Sequence, residues 1–245
     1  MNQGFRELLS LEAEYACFNS RRSLVRPGAG VAHWAFRGEH VIIRNADWLE
    51  NDYVNRVTSF DSDPERILSN FSDVSRIDSF SEPKVAEIHP PDTLSYFRHD
   101  LHKPSESESK PRPEIKIEVC RDPHFFIGEI ARTSGKPVDP AIVRAKVGFY
   151  CTRNFRCTIA RLDGEVAGLA TLFIHERAGW IANAYTFPKY RNRGVHSELL
   201  RYRIEDARGL GLAFAFTDAE PGSVSARNII RSGFRIVATA TTFRV

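Results

Sequence analysis

Residues 187–200 read "FPKYRNRGVHSELL" and set Lys189, Arg191 and Arg193 around Gly194, where an apolar-periodic helix begins. A helix start already carries partial positive charge and unpaired N–H groups, so cations gathered there are unfavourable unless an anion comes to sit among them. Upstream, "FRCTIARLDGEVAGLATLFIHERAGWIANAYTF" (155–187) reads as three antiparallel strands. Asp163-Gly164 makes the first hairpin turn and "ERAG" (176–179) the second. Downstream, the helix of 194–208 is apolar over a wide arc and is expected to be largely buried. A short apolar strand "LAFAFTDA" (212–219) follows. Then come a helix "SVSARNIIRSGF" (223–234), with Ser223 as N-cap and Gly233 as stop, and a final strand "RIVATATTFRV" (235–245). The order strand, proline, basic loop, glycine, helix presents a row of backbone N–H groups to phosphate.

This loop is neither a P-loop nor a dinucleotide fingerprint, because GxxxxGK[ST] and GxGxxG are both absent. The bulk properties bound the rest. A hydrophobic content of 42% with 27% charged residues is ordinary for a soluble protein, and a net charge of +3 implies no general attraction to nucleic acid or membrane. No apolar run approaches the roughly 20 residues that span a bilayer, and the N-terminus lacks a signal-peptide core, so a cytoplasmic protein is expected. Cys17, Cys120, Cys151 and Cys157 form no CxxC pair and read as small buried hydrophobes rather than metal ligands or disulfides. The eight histidines form no metal signature, and no metal is expected.

"HKPSESESKPRPE" (102–114) is the clearest shift in composition and places a linker at 105–113, between a region 1–104 and a region 114–245. The first region has weaker signals. "VAHWAFRGEHVIIRN" reads as two strands around Arg37-Gly38-Glu39, "DPERILSNFSD" as a helix, "PKVAEIHP" as a short strand and "PDTLSYFRHDLH" as a short helix. After the linker, "EIKIEVC" alternates as a strand. "PHFFIGEIARTSG" and "PAIVRAKVGFYCTR" read as helices that begin at or just after proline.

Arg191-Asn192-Arg193-Gly194-Val195-His196 resembles the [Q/R]-x-x-G-x-[G/A] loop of the GNAT superfamily, the acyl-CoA-dependent N-acetyltransferases. "DGEVAGLATLF" is similar to that family's strand hairpin, and "PGSVSARNIIRSGFR" to its last helix. The resemblance covers about 115–245 in the family's element order. It implies an α+β fold with a mixed, mostly antiparallel sheet flanked by helices, and a V-shaped opening between the strands at "ANAYTF" and "LAFAF". The "S-x-S-x-R-N" run of Ser223 to Asn228 is closest to larger members that carry an extra N-terminal half. Residues 1–104 are accordingly expected to be a smaller, degenerate GNAT-like cap.

By the same resemblance, acetyl-CoA is the co-substrate, lying along Ala184, Tyr185 and Thr186. Its pyrophosphate is held by Arg191, Asn192, Arg193, Gly194, Val195, His196 and Ser197, with Ser225 and Asn228 as further contacts. Position 196 is His where the family usually has Gly or Ala, and the proton chemistry departs from the family pattern as well. Where many members carry a Tyr that protonates the leaving thiolate, this chain has Ile229, which leaves Ser225 and Tyr185 as the candidate donors. The usual base position falls on Thr217, with Asp218 and Glu220 as the carboxylates beside it. Lys189, Arg201 and Arg203 read as solvated or helix-pairing charges. The segment 124–150, with Phe125, Phe126 and Phe149, is expected to wall the acceptor pocket.

The implied activity is acetyl transfer to a primary amine of a small molecule or peptide in a ternary complex, by a monomer or homodimer with no nucleic-acid or membrane partner. The alternative is a catalytically degenerate acyl-CoA-binding sensor or scaffold, to which Ile229 and the unassigned base point.

Overall fold

Asp163 and Gly164 both take positive φ (55° and 81°), the backbone of a type I′ turn, and so fix Leu162 opposite Glu165. The hairpin they close belongs to an eleven-stranded sheet in a computed structural model. The structure describes residues 3–26, 28, 30–59, 64–71, 74–81, 92–103 and 112–244. The first part of the chain forms α1 (Gln3–Arg22), β1 (His33–Arg37), β2 (His40–Arg44), β3 (Arg56–Ser59), α2 (Pro64–Asn70), β4 (Arg76–Ser81) and β5 (Thr93–Asp100). The second forms β6 (Ile115–Cys120), α3 (Pro123–Ser134), α4 (Pro140–Lys146), β7 (Phe155–Leu162), β8 (Glu165–His175) and β9 (Ala178–Thr186). It ends with α5 (Val195–Gly209), β10 (Phe214–Ala219), α6 (Val224–Arg231) and β11 (Arg235–Arg244). This is the expected α+β fold with a mixed, mostly antiparallel sheet: among the described strands only β3–β4 and β9–β10 pair in parallel.

The strand order is β1-β2-β3-β4-β11-β5-β10-β9-β8-β7-β6. Leaving aside the edge strand β6, it is symmetric about the β11–β5 pair, so that β1–β4 correspond in order and direction to β7–β10. Each part lends its last strand to the other. β5 lies between β10 and β11, and β11 lies between β4 and β5.

The reading of "PDTLSYFRHDLH" as a helix is corrected by β5. Asp92 takes a left-handed φ of 58°, and the chain then runs extended with Tyr96 and Phe97 buried. Thr, Tyr and Phe suit a pleated strand, and here both edges are paired. The strand expected at "PKVAEIHP" and residues 105–111 of the expected linker lie outside the described residues.

α1 is an element that the sequence reading leaves unassigned. It buries Leu8, Leu9, Leu11, Tyr15 and Phe18 at helical spacing. Phe18 packs on Phe155 and Phe173 (ring centroids 4.9 Å from each), and Tyr15 stacks on Trp180 at 5.9 Å. α5 covers the opposite face of the same strands, packing Leu200 and Ile204 with Leu172 and Ile181. Cys17, Cys120 and Cys157 are buried, Cys151 is half-buried, and all four are free thiols. Among the described residues no helix is long and apolar enough to cross a membrane, and no three His, Cys, Asp or Glu side chains are grouped as metal ligands.

Candidate active site

The basic loop makes a cradle. After β9, a 3-10 turn at Pro188–Tyr190 leads to Asn192 (φ 61°) and Gly194 (φ 87°), both left-handed, and α5 starts at Val195. The first intrahelical bond from this start is Glu198 N–H to Gly194 O at 3.1 Å. The N–H groups of Val195, His196 and Ser197 therefore have no partner within the helix, and no side chain caps them. Lys189 is turned away onto Glu165 (2.9 Å) and Arg193 onto Asp163 (3.2 Å). Of the three loop cations, Arg191 alone pairs with no acid among the described residues.

A fourth cation, which the sequence reading missed, lies over the glycine. Arg112 donates from Nη1 to Arg193 O at 3.5 Å, and a Cβ built on Gly194 would lie 2.4 Å from its Nε. Nothing in the spacing of "KPRPE" singles Arg112 out. The fold brings it there, anchored by its backbone N–H donating to Glu198 at 3.3 Å.

The cradle opens onto a split in the sheet. β9 and β10 pair only over Ala178–Trp180 and Phe214–Phe216, then diverge. β9 stays on β8 through a bulge at Asn183 and Ala184, where Asn183 takes φ of 50°. A cavity of about 410 Å³ fills the opening. Ala184 of β9, His196 of α5, Asp218 of β10 and Ser225 of α6 all face it, so the structure brings four of the expected site residues together.

Residues 94–234, more than half of the chain, match the sequence model of the Acetyltransferase (GNAT) family. The chain belongs to the GNAT acetyltransferase family. It is an acyltransferase. Among solved structures, a GCN5-related N-acetyltransferase from Kribbella flavida is similar with a TM-score of 0.58 at 13% identity, over 95% of this chain and 94% of that one. A conserved protein of unknown function from Staphylococcus epidermidis gives 0.56 at 11%, over 86% and 92%. A GCN5-related N-acetyltransferase from Sphaerobacter thermophilus gives 0.53 at 13%, over 84% and 80%. At such identities the likeness shows the fold alone, and it extends over both parts of the chain. No curated protein matches the sequence.

In this GNAT protein the first part of the chain supplies much of the cavity wall. Glu12 and Tyr15 come from α1, Arg56 from β3 and Tyr96 from β5, with Tyr53 just before β3. The segment 124–150 does not line this cavity, because α1 is packed between the two. Instead Phe126 and Ile130 border a smaller cavity of about 250 Å³, shared with Tyr185. Tyr185 also lies 5.3 Å from the Phe187 ring, and the Thr186 hydroxyl is buried without a partner. Glu220 is exposed and lines a separate cavity of about 410 Å³ beside Arg76 and Arg244.

Arg56 is buried between Glu12 and Asp78 (3.2 Å to Asp78), and Asp78 also takes Arg76 at 2.8 Å. These two acids and two bases balance. Asp218 is left as the cavity carboxylate that has no ion pair among the described residues. Burial, with the charge of Glu12 adding to it, pushes its carboxyl up to about 6. Thr217, at the family's usual base position, is tied through its hydroxyl to Ile181 O at 2.8 Å.

His196 lies 3.4 Å from the Asn228 amide nitrogen, which is how Asn228 reaches the site. Burial, helped by Arg203, pushes the imidazole down to about 4, so the ring is neutral at pH 7. Arg203 is buried rather than solvated. It donates to Leu199 O and Ala182 O, both at 3.0 Å, and to Thr171 O at 3.3 Å, and so ties α5 to the strands at the bulge. Arg201 pairs with Glu198 and Glu205 along the helix.

Proposed function

We propose that the protein transfers an acetyl group from acetyl-CoA to a primary amine of a small molecule or peptide, by direct attack in a ternary complex, with Asp218 as general base. The observation that carries this reading is the unpaired Asp218 carboxylate, with its raised proton affinity, in the cavity at the split. An alkylammonium ion near pKa ~10.4 must lose a proton before attack, which costs about 4–5 kcal/mol at pH 7. A carboxylate near 6 attracts the ammonium form and accepts its proton, and the walls from Tyr53, Tyr96 and Trp180 favour a cation as well. The amine nitrogen then bonds to the thioester carbon, the C–S bond breaks, and the second proton of the nitrogen passes to the departing thiolate, giving the amide and the free thiol. Ser225, whose hydroxyl lines the same cavity, donates a hydrogen bond to the departing sulfur, since Ile229 beside it has no proton to give. Free N–H groups of 195–197, Arg191 and Arg112 suit the pyrophosphate. The left-handed φ of 87° explains why a glycine is needed at 194.

We read the first part of the chain as a divergent copy of the same unit, acting as the acceptor wall rather than as a second site. The symmetric strand order and the exchanged strands β5 and β11 support this.

The test is a thermal melt with acetyl-CoA or dephospho-CoA, on the wild type and Gly194→Glu, followed by thiol release with a panel of amines. At 100 times its dissociation constant a ligand adds about 2.7 kcal/mol, or roughly 5–10 °C here. A rise abolished in the variant, with amine-dependent thiol release, is expected. No rise at millimolar acetyl-CoA, or a rise with no amine turned over, overturns the reading.

A further inference from the structure

Tyr15, on α1, lies in the cavity with a proton it has not spent. The hydrogen bonds around it fix this. Thr171 Oγ1 donates to Ala182 O at 3.2 Å and accepts from the Asn183 amide nitrogen at 2.9 Å. The same nitrogen lies 2.9 Å from the Tyr15 hydroxyl and donates its second proton to it. Arg22 Nη2 is a further donor to that oxygen at 3.5 Å. The phenol oxygen therefore accepts, and no acceptor for its own O–H stands among the described residues. The ring is fixed by stacking on Trp180 and by Phe173 at 5.6 Å, so the hydroxyl cannot swing out to water. What remains for the proton is the cavity that Tyr15, Asn183 and Ala184 line together, at the β9 bulge.

We propose that the Tyr15 hydroxyl donates a hydrogen bond to the thioester carbonyl oxygen, and stabilises it as it becomes an oxyanion during attack. This rests on the transferase reading above and assigns to α1 a catalytic residue of the reaction. The proton stays on Tyr15 throughout: burial raises the phenol above its ordinary value, which keeps it a donor at every working pH. The Asn183 and Arg22 donors polarise the O–H and aim it, as a fixed dipole should be aimed before charge develops.

The experiment uses full-length protein with acetyl-CoA labelled with ¹³C at the carbonyl, as wild type and Tyr15→Phe. Three quantities are read: the melting shift with acetyl-CoA, the infrared carbonyl stretch of the bound thioester, and the rate of amine-dependent thiol release. The expected result is an unchanged melting shift, a carbonyl stretch at lower frequency in the wild type than in the variant, and a turnover number lower in the variant by about 10²–10³-fold with little change in KM. A second variant carrying 3,5-difluorotyrosine at position 15 keeps the ring and strengthens the donor, and is expected to lower the stretch further. Equal stretches in all three proteins, or turnover within twofold, overturn the proposal while leaving the transferase reading standing. A wild type that binds no acetyl-CoA overturns both.

Discussion

Replacing Asp218 by Asn separates the cost of the site from its use. Asn keeps the shape of the side chain and removes the charge. In the folded protein the carboxyl stands at about 6 against an ordinary 3.8, mainly because it is buried and secondly because Glu12 is near. The folded state therefore holds this proton more tightly than the unfolded chain does. Between those two values unfolding releases a proton, so stability falls as pH rises through the window, and above it the whole cost of the buried charge is present. A shift of about two units corresponds to about 3 kcal/mol. In a chain of this length that is about 6–12 °C in Tm. Melts of wild type and Asp218→Asn between pH 4 and 8 should show the variant more stable at pH 8, with the gap closing below pH 6 and gone near pH 4. Over the same range wild-type thiol release should rise through about 6 to a plateau, and the variant should lose about 10²–10⁴-fold. A variant less stable than wild type at pH 8, or a gap of the same size at pH 4.5 and 8, would refute the claim that Asp218 is held ionised at a cost.

His196→Gln should leave the acid limb of the rate profile near 6 unmoved, because the imidazole, pushed down to about 4, is neutral throughout; a limb that moves with this change would transfer the base role from Asp218 to His196. Arg112→Ala should weaken acetyl-CoA by roughly tenfold or more, the loss of one charge-assisted hydrogen bond. The same change should leave untouched the affinity for an acetyl-pantetheine that lacks the nucleotide, as read by titration calorimetry. Residues 112–245 expressed alone should give no cooperative melt, since β10 and β11 both lose β5, and co-expression with residues 1–111 should restore one.

What the sequence makes legible is what short-range chemistry decides. Asp163-Gly164 needs positive φ at both residues and gets it, Ser223 caps α6 by accepting from Ala226 N at 3.0 Å, and Gly194 stands where a left-handed residue precedes a free helix start. The misread element, β5, has a fate set by β10 and β11, more than a hundred residues away, which no window on 91–102 contains. The wall of the cavity was hidden for the same reason. Glu12 and Tyr15 on α1, Arg56 on β3 and Tyr96 on β5 stand at three separated places, and each alone reads as an ordinary helix or strand residue. Their signal exists only once the sheet is closed. Arg203 misled in the other direction, because an arginine on an amphipathic helix reads as solvated until three backbone carbonyls turn out to face it.

The exchange of strands gives this arrangement a physical sense. A split between β9 and β10 leaves two stretches of backbone without sheet partners, and a site that opens there would weaken the sheet where it must be rigid. Lending β5 to the far edge of β10 restores a continuous antiparallel ladder on that side, with Phe97 fully buried beneath it. The cavity can then open on one edge of β10 while the other edge holds its register. The same loan places Tyr96 beside Trp180 (6.1 Å) and brings the first part of the chain, with α1 and its carboxylate, against the second. Support of the split and construction of the cavity wall are thus one structural event, which is why so many of the residues that line a cavity opened in the second part come from the first.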